Sequence, residues 1–387
     1  MKIASHPLWL VGFRPFFLLA CLAGVGLPVA WALMFSGALS APPGRLSPTQ
    51  WHAHEMFFGF GWAVMGGFLL TATKNWVSVR GYHGSALMAL VLAWCFERLG
   101  MSWGGGWPAY LFWLSAVSFS AAIVGMLLIT LLRHRDQDSF QRDNVFFLVA
   151  LPAFLVAKML VLSPVHFEAG VAMTLGLFRL AFLVMMERTL SQFMKGVFQV
   201  DLLRDWRLDL PIKGLALVLV LVAWLPDGLA AVLYAALATL LLFRFLFWSP
   251  FRAFGRIELA VMYLGYLALV CQLLLEVLAR VMPVAWMGSV SVHVFAFGVM
   301  GLVIPPMLVR ISKGHTGRKV VFDTGDKMLI WIMLLAFFVR IVLPQLFPDA
   351  YPHWIHLAAG GWSLCFLILG GRMLPRLMAP RVDGKVH

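Results

Sequence analysis

The sequence predicts an all-α protein, a polytopic membrane helical bundle of about twelve transmembrane helices with both termini cytoplasmic. Three observations predict it. The 387-residue chain is 62% hydrophobic and only 12% charged, against about 25% charged in an ordinary globular domain, and its mean hydropathy is +0.89. The deficit of charge runs the whole length, which excludes a soluble domain carried on a single anchor. Apolar runs recur between short polar breaks, and a hydrocarbon core about 30 Å thick asks for about 20 apolar residues per helix. The cations are also lopsided: alternate loops and the tails collect 24 of the 30 Lys and Arg residues, the bias that orients membrane proteins.

The runs, in order, cover 15–36, 54–73, 84–99, 108–132, 145–162, 166–186, 211–225, 228–247, 257–280, 287–311, 328–347 and 354–374. The first is too long for a signal-peptide core and is read as an uncleaved helix. The seventh is short enough to be partly re-entrant. With both ends inside, the cytoplasmic side holds Lys2 and Arg14, then Lys74 and Arg80, then Arg133, Arg135 and Arg142. The later inner loops continue the series from Arg188 to Lys213, from Arg244 to Arg256 and from Arg310 to Lys327, and the tail from Arg372 to Lys385 closes it. One span more or fewer would invert every later loop. Residues 1–387 therefore read as a single integral membrane domain, with six-helix halves at 1–186 and 211–374 joined by a cytoplasmic loop at 187–210.

A net charge of +13 is an orientation signal in such a chain and does not call for nucleic acid; the expected surroundings are membrane lipid. Cys21, Cys95, Cys271 and Cys365 fall inside apolar runs without CxxC pairing, as small buried hydrophobes do.

The topology sorts the histidines. His6, His83, His134, His315 and His387 fall on the cytoplasmic side, and the other six in the outer half. In the stretch WHAHEMFFGF, His52 and His54 open the second helix with Glu55 beside them. His166 opens the sixth, His293 lies in the tenth, and His353 and His356 open the twelfth. Ionisable groups within spans are rare and mark function, and neutral imidazole is the commonest metal ligand. The six histidines at one expected depth point to a metal or haem site, with His52, His54, His293 and His356 as the main ligands and His166 and His353 as weaker ones. His353 with His356, and His52 with Glu55, are spaced to share a helix face, whereas His52 and His54 diverge. Arg179 and Lys158 lie within spans and are candidates to neutralise a haem propionate or to pair with Glu168 or Glu55. Glu97 with Arg98, and Glu276 with Arg280, read as local pairs at helix ends. Gly59, Gly61, Gly66 and Gly67 permit close approach of another helix or of a flat macrocycle.

These motifs, taken together, resemble the NnrS family of bacterial membrane proteins. The resemblance rests on FRPFF at 13–17, WHAHEMFFGF at 51–60, GGFLLTATKNW at 66–76, ERTLSQFM at 187–194, RISKGHTGR at 310–318, HLAAGGW at 356–362 and PRVDG at 380–384. It implies a multi-pass protein of the bacterial inner membrane that binds haem, b-type, and copper, and that takes part in the response to nitric oxide. The family positions it carries over are His52, His54, Glu55, His293 and His356; Arg14, Arg188, His315 and Arg318 also match, without assigned chemistry. The resemblance brings no catalytic residue and no electron donor with it. His315 cannot join His293 at one metal, because 22 residues of continuous helix span about 33 Å; its GHTGR stretch reads as a glycine-ended helix terminus. A haem–copper oxidase is set aside, since the chain has neither a His-His dipeptide nor an HPE motif. The alternative function is a twelve-helix secondary transporter of metal or a small solute, the usual use of such a helix count.

Overall fold

The computed structural model describes residues 3–42, 45–284 and 286–385; Lys2 and His387 lie outside them. Each apolar run becomes a helix, and no strand occurs among the described residues. The helices are α1 (Phe13–Phe35), α2 (Pro48–Trp76), α3 (Ser85–Gly106), α4 (Ala109–Arg133), α5 (Gln141–Leu162) and α6 (Phe167–Phe198). After the shorter α7 (Trp206–Val218) come α8 (Asp227–Leu246), α9 (Ile257–Val281), α10 (Val290–Gly314), α11 (Thr324–Leu346) and α12 (Pro348–Met378). Among the described residues, eleven of these are long and apolar enough to cross a membrane, as a multi-pass bundle requires. The exception is α7, the run the sequence left short. It holds 13 α-helical residues and then narrows to a 3-10 segment, Leu219–Trp224, kinked at Leu221.

Two boundaries differ from the sequence reading, each for a local reason. Helix α2 starts at Pro48 rather than 54, because Ser47 and Gln50 form a reciprocal capping box with Pro48 in the first turn, a strong start signal outside the apolar run. Helix α6 continues twelve residues past 186, to Phe198, so Glu187 and Arg188 are helical rather than loop. No Gly or Pro interrupts ERTLSQFM, and Glu187 is buried against partners that satisfy it.

The chain divides into two compact units. The first comprises residues 1–167, 307–323 and 359–387, and the second 168–306 and 324–358. In the first, α1 lies hard against α2: a Cβ on Gly67 would stand 2.6 Å from that of Phe16, and one on Gly12 would stand 2.6 Å from that of Leu70. Small residues admit such backbone approach, which is what holds helices together in lipid. Gly66 faces Ile123 in the same way, so helix packing explains both Gly66 and Gly67. The Phe13 amide donates to Thr71 Oγ1 at 2.9 Å. Arg14, fully buried, donates from Nη1 to the carbonyls of Leu377 and Ala379 at 2.8 and 2.7 Å, more than 360 residues along the chain. Beside them α10 ends at Gly314, and Gly317 follows at φ +79, the glycine-ended terminus the sequence suggested. His315 packs against Phe13, ring centroids 5.6 Å apart.

The second unit is pinned at one end by a buried ion cluster. Glu187 receives Lys213 at 2.9 Å, Arg204 at 2.5 Å and Arg244 at 3.1 Å, and Asp209 stands 3.4 Å from Arg244. Burying a carboxylate is tolerable only with such partners, and these tie α6, α7 and α8 together.

Candidate functional site

The most buried windows belong to α2, α6 and α10, at 72%, 78% and 72%, against 33–56% in the other spans. Two of these three contain a π-helical segment, Glu55–Gly61 in α2 and Val294–Gly301 in α10. Such wide turns are rare and gather at functional sites. Each begins on the residue after a histidine, His54 or His293. The same spacing recurs in both, His-x-x-x-Phe-Gly at His54–Phe58–Gly59 and at His293–Phe297–Gly298. That recurrence is a sequence signal the reading of composition and spans passed over.

In α2 the widened turn aims His54 inward and leaves it wholly buried, with Glu55 1% exposed. His54 Nδ1 stands 3.1 Å from Glu55 Oε1. The other Glu55 oxygen accepts from Arg98 Nη1 at 2.6 Å. Arg98 also holds Glu97 Oε1 at 2.5 Å, and the same oxygen takes Lys158 Nζ at 2.5 Å. Lys158 donates a second bond to Ser120 Oγ at 2.8 Å, and its ammonium lies 5.4 Å from the Phe58 ring centre. Trp94 Nε1 donates to the Gly59 carbonyl at 3.0 Å, serving an acceptor in the distorted turn. Gly59 makes room for Arg98: a Cβ there would meet the Arg98 guanidinium and come within 3.1 Å of Glu55 Oε2.

The electrostatics follow from the count of charges. Two carboxylates face two cations, so no charge remains for the imidazole to balance. With Nδ1–H directed to Glu55, the lone pair is on Nε2. That atom has no hydrogen-bond donor, and its nearest carboxylate oxygen, Glu97 Oε1, is 3.5 Å away. Glu97 Oε2 is likewise buried without a partner. Unsatisfied buried acceptors are uncommon and ask for an explanation; two side by side suit a cation or a proton donor. A carboxylate behind one imidazole nitrogen with the other left open is the arrangement found behind metal-bound histidines.

The remaining candidates are placed as follows. In the first unit, His52 is half-buried and stacks on Trp31, ring centres 4.2 Å apart and planes 15° from parallel, so it diverges from His54 as their spacing required. The oxygens of Glu55 go to His54 and Arg98. His166 is exposed and lies 3.1 Å from Ser163 Oγ. In the second unit, His293 Nδ1 is 2.8 Å from the Ser289 carbonyl, His353 is exposed and His356 half-buried. Arg179 donates to Gln272 Oε1 at 3.1 Å and lies 5.2 Å over the Tyr234 ring. Among the described residues no group of three or more His, Cys, Asp or Glu side chains gathers as a metal cage would.

Two pairings correct the sequence reading, and a third extends it. Lys158 takes Glu97, not Glu55 or Glu168, because α3 and α5 bring those two groups face to face inside the first unit. Arg179 takes Gln272 and Tyr234 instead of Glu168. Glu97 and Arg98 do pair locally, but both are drawn into the buried cluster, which a local reading missed. Glu276 and Arg280 pair at 2.6 Å across one helical turn, as the sequence indicated.

The geometry can now be set beside known proteins. The family model described as NnrS protein matches residues 7–381. No curated protein matches the chain. The family match takes in every motif that carried the resemblance except the last residues of PRVDG, and it covers nearly the whole sequence, so the chain belongs to the NnrS family.

Proposed function

We propose that this chain is a haem- and copper-binding membrane protein of nitric oxide metabolism or tolerance, with its metal chemistry at the π segment of α2. Family membership supports the role in the nitric oxide response, and does not favour the transporter alternative. The observation that carries the metal reading is His54: a buried imidazole, backed by Glu55 on one nitrogen and without a donor on the other.

The donor set fits an axial ligand. A haem iron takes one or two axial histidines, and copper takes imidazole readily. Such a group, when bound, supplies an open coordination position for a small diatomic ligand. The chain's own residues do the rest. Glu55 fixes the tautomer and ring orientation of His54, and Arg98 holds Glu55 in turn. Lys158 and Arg98 hold Glu97 in place beside the open nitrogen. The surrounding Phe58 and Trp94 rings exclude water, while nitric oxide, small and apolar, reaches such a site through lipid. His52, His293 and His356, with His166 and His353, are the proposed further ligands, and Arg179 the proposed partner of a haem propionate. A bacterial inner membrane is the proposed location.

The test is spectroscopic. The protein is purified in detergent from haem-sufficient cells, its oxidised and reduced spectra are recorded with and without nitric oxide, and iron and copper per chain are measured. We expect a haem spectrum that shifts with nitric oxide and is lost in His54→Ala but kept in His315→Ala. A colourless, metal-free preparation overturns the reading.

A further inference from the structure

The first unit contains a cavity of about 260 Å³ between the end of α2, the turn after it and the end of α4. Three cations line it, Lys74, Arg80 and Arg133. Among the described residues none of the three has an ion-pair partner. Some other cations at polar helix ends find acids: Arg372 holds Asp323, Lys195 holds Asp201 at 2.9 Å, and Arg381 holds Asp383 at 2.5 Å; these three instead share one cavity. Of the two acids just after Arg133, Asp136 is exposed and makes no ion pair with them among the described residues, and Asp138 is already engaged, with both oxygens on Asn144 at 2.9 and 2.8 Å.

The hydroxyls of the cavity tell the same story. Tyr82 donates to the Met126 carbonyl at 3.1 Å, and Thr130 to the same carbonyl at 2.8 Å, so both are bound to the wall. Thr73, 2% exposed, has a buried Oγ1 with no partner. A concave site with three uncompensated positive charges wants an anion, and phosphate suits Lys and Arg donors. The apolar part of the lining says which anion. Leu70, Leu127 and the half-exposed Ile129 are apolar, and the cavity lies where two spans end, at Trp76 and Arg133. That is the depth of lipid headgroups.

The geometry points to a binding site for the phosphate headgroup of an anionic phospholipid, held by Lys74, Arg80 and Arg133 with the start of its acyl chain against Ile129 and Leu127. This inference is independent of the metal reading, because no residue is shared with the His54 cluster.

The experiment measures lipid retained by the intact protein. The chain is exchanged into detergent with phosphatidylglycerol or phosphatidylcholine, and bound lipid is counted by native mass spectrometry over a titration. Phosphatidylglycerol should bind tightly and phosphatidylcholine weakly. Each basic residue near a membrane surface contributes about a fivefold preference, so Lys74→Gln, Arg80→Gln and Arg133→Gln together should weaken binding about 100-fold. Arg80→Glu alone, on an exposed turn where folding is not at risk, should weaken it at least fivefold. The charge-matched control Arg207→Gln, Arg252→Gln and Lys319→Gln should leave it unchanged. Equal losses in both triple variants mean ordinary surface attraction and overturn the site. Binding of inorganic phosphate with no preference for the lipid overturns it too, as does unaltered retention by Arg80→Glu.

Discussion

The π segments of α2 and α10 use one backbone device with two different fillings. After His54, the widened turn faces a sealed cluster: Glu55, Glu97 and Lys158 are at most 1% exposed, and only Arg98 reaches 13%. After His293, the neighbouring charges are looser. Glu276 is 17% exposed and Arg280 19%, and Glu276 also accepts from Gln272 at 3.1 Å and from Ser291. Sealing decides what a polar cluster does. Without water, every charge in the first unit depends on its partner, so the geometry around His54 is over-determined. In the second unit water can replace a lost partner, so the cluster there is a support more than a site.

Removing one carboxylate from each cluster is the strongest way to break that contrast. Glu97→Ala strips Lys158 and Arg98 of a shared partner inside a sealed space and should cost about 3–5 kcal/mol. Glu276→Ala leaves groups that water can reach and should cost about 1 kcal/mol. Thermal unfolding in detergent measures both, and equal losses would sink the distinction.

Acid gives the next effect and probes the far end of the first unit. Burial first, then Lys74 and Arg381, lower the pKa of His315 to about 4 from an ordinary 6.5. The sign follows: the unfolded chain takes up the proton first as pH falls, so stability is full above pH 6.5 and declines toward pH 4, by about 3 kcal/mol at most. His315→Gln should flatten the stability profile between pH 6.5 and 4, and an unchanged slope would refute this.

The smallest effect sharpens the contrast at the glycines. A Cβ at Gly298 would stand 2.6 Å from that of Ala268, which its helix holds in place, and 3.0 Å from Phe337. Gly298→Ala should cost about 2–3 kcal/mol by overpacking. At Gly59 the obstacle is the end of a flexible arginine, so Gly59→Ala should cost about 1 kcal/mol while displacing Arg98 from Glu55. If Gly59→Ala is the more disruptive of the two in unfolding, Arg98 is held more rigidly than its side chain suggests.

How far the sequence reveals this molecule depends on the range of the interaction. Every span was legible, because bilayer thickness imposes a run of apolar residues whatever packs against it. The ends of α2 and α6 were less so: the first starts in a polar capping box, and the second continues through charged residues that only tertiary partners make tolerable. The identity of the inward histidine was half legible. Spacing separated His52 from His54, but choosing His54 required the π turn, which lies in an apolar stretch without Gly or Pro at its start. The Glu97–Lys158 pair was not legible at all, since the two are 61 residues apart and nothing local announces their meeting.

The bond from Arg14 to the carbonyls of Leu377 and Ala379 has a consequence for biosynthesis. Helix α1 is completed by carbonyls that are translated more than 360 residues after it. Until then the guanidinium of Arg14 must keep water or lipid phosphate as a substitute partner, and the first unit cannot close around it. A chain cut before Leu377 would carry an unfinished first unit however well its other helices had inserted, so closure of that unit waits on residues 377–379.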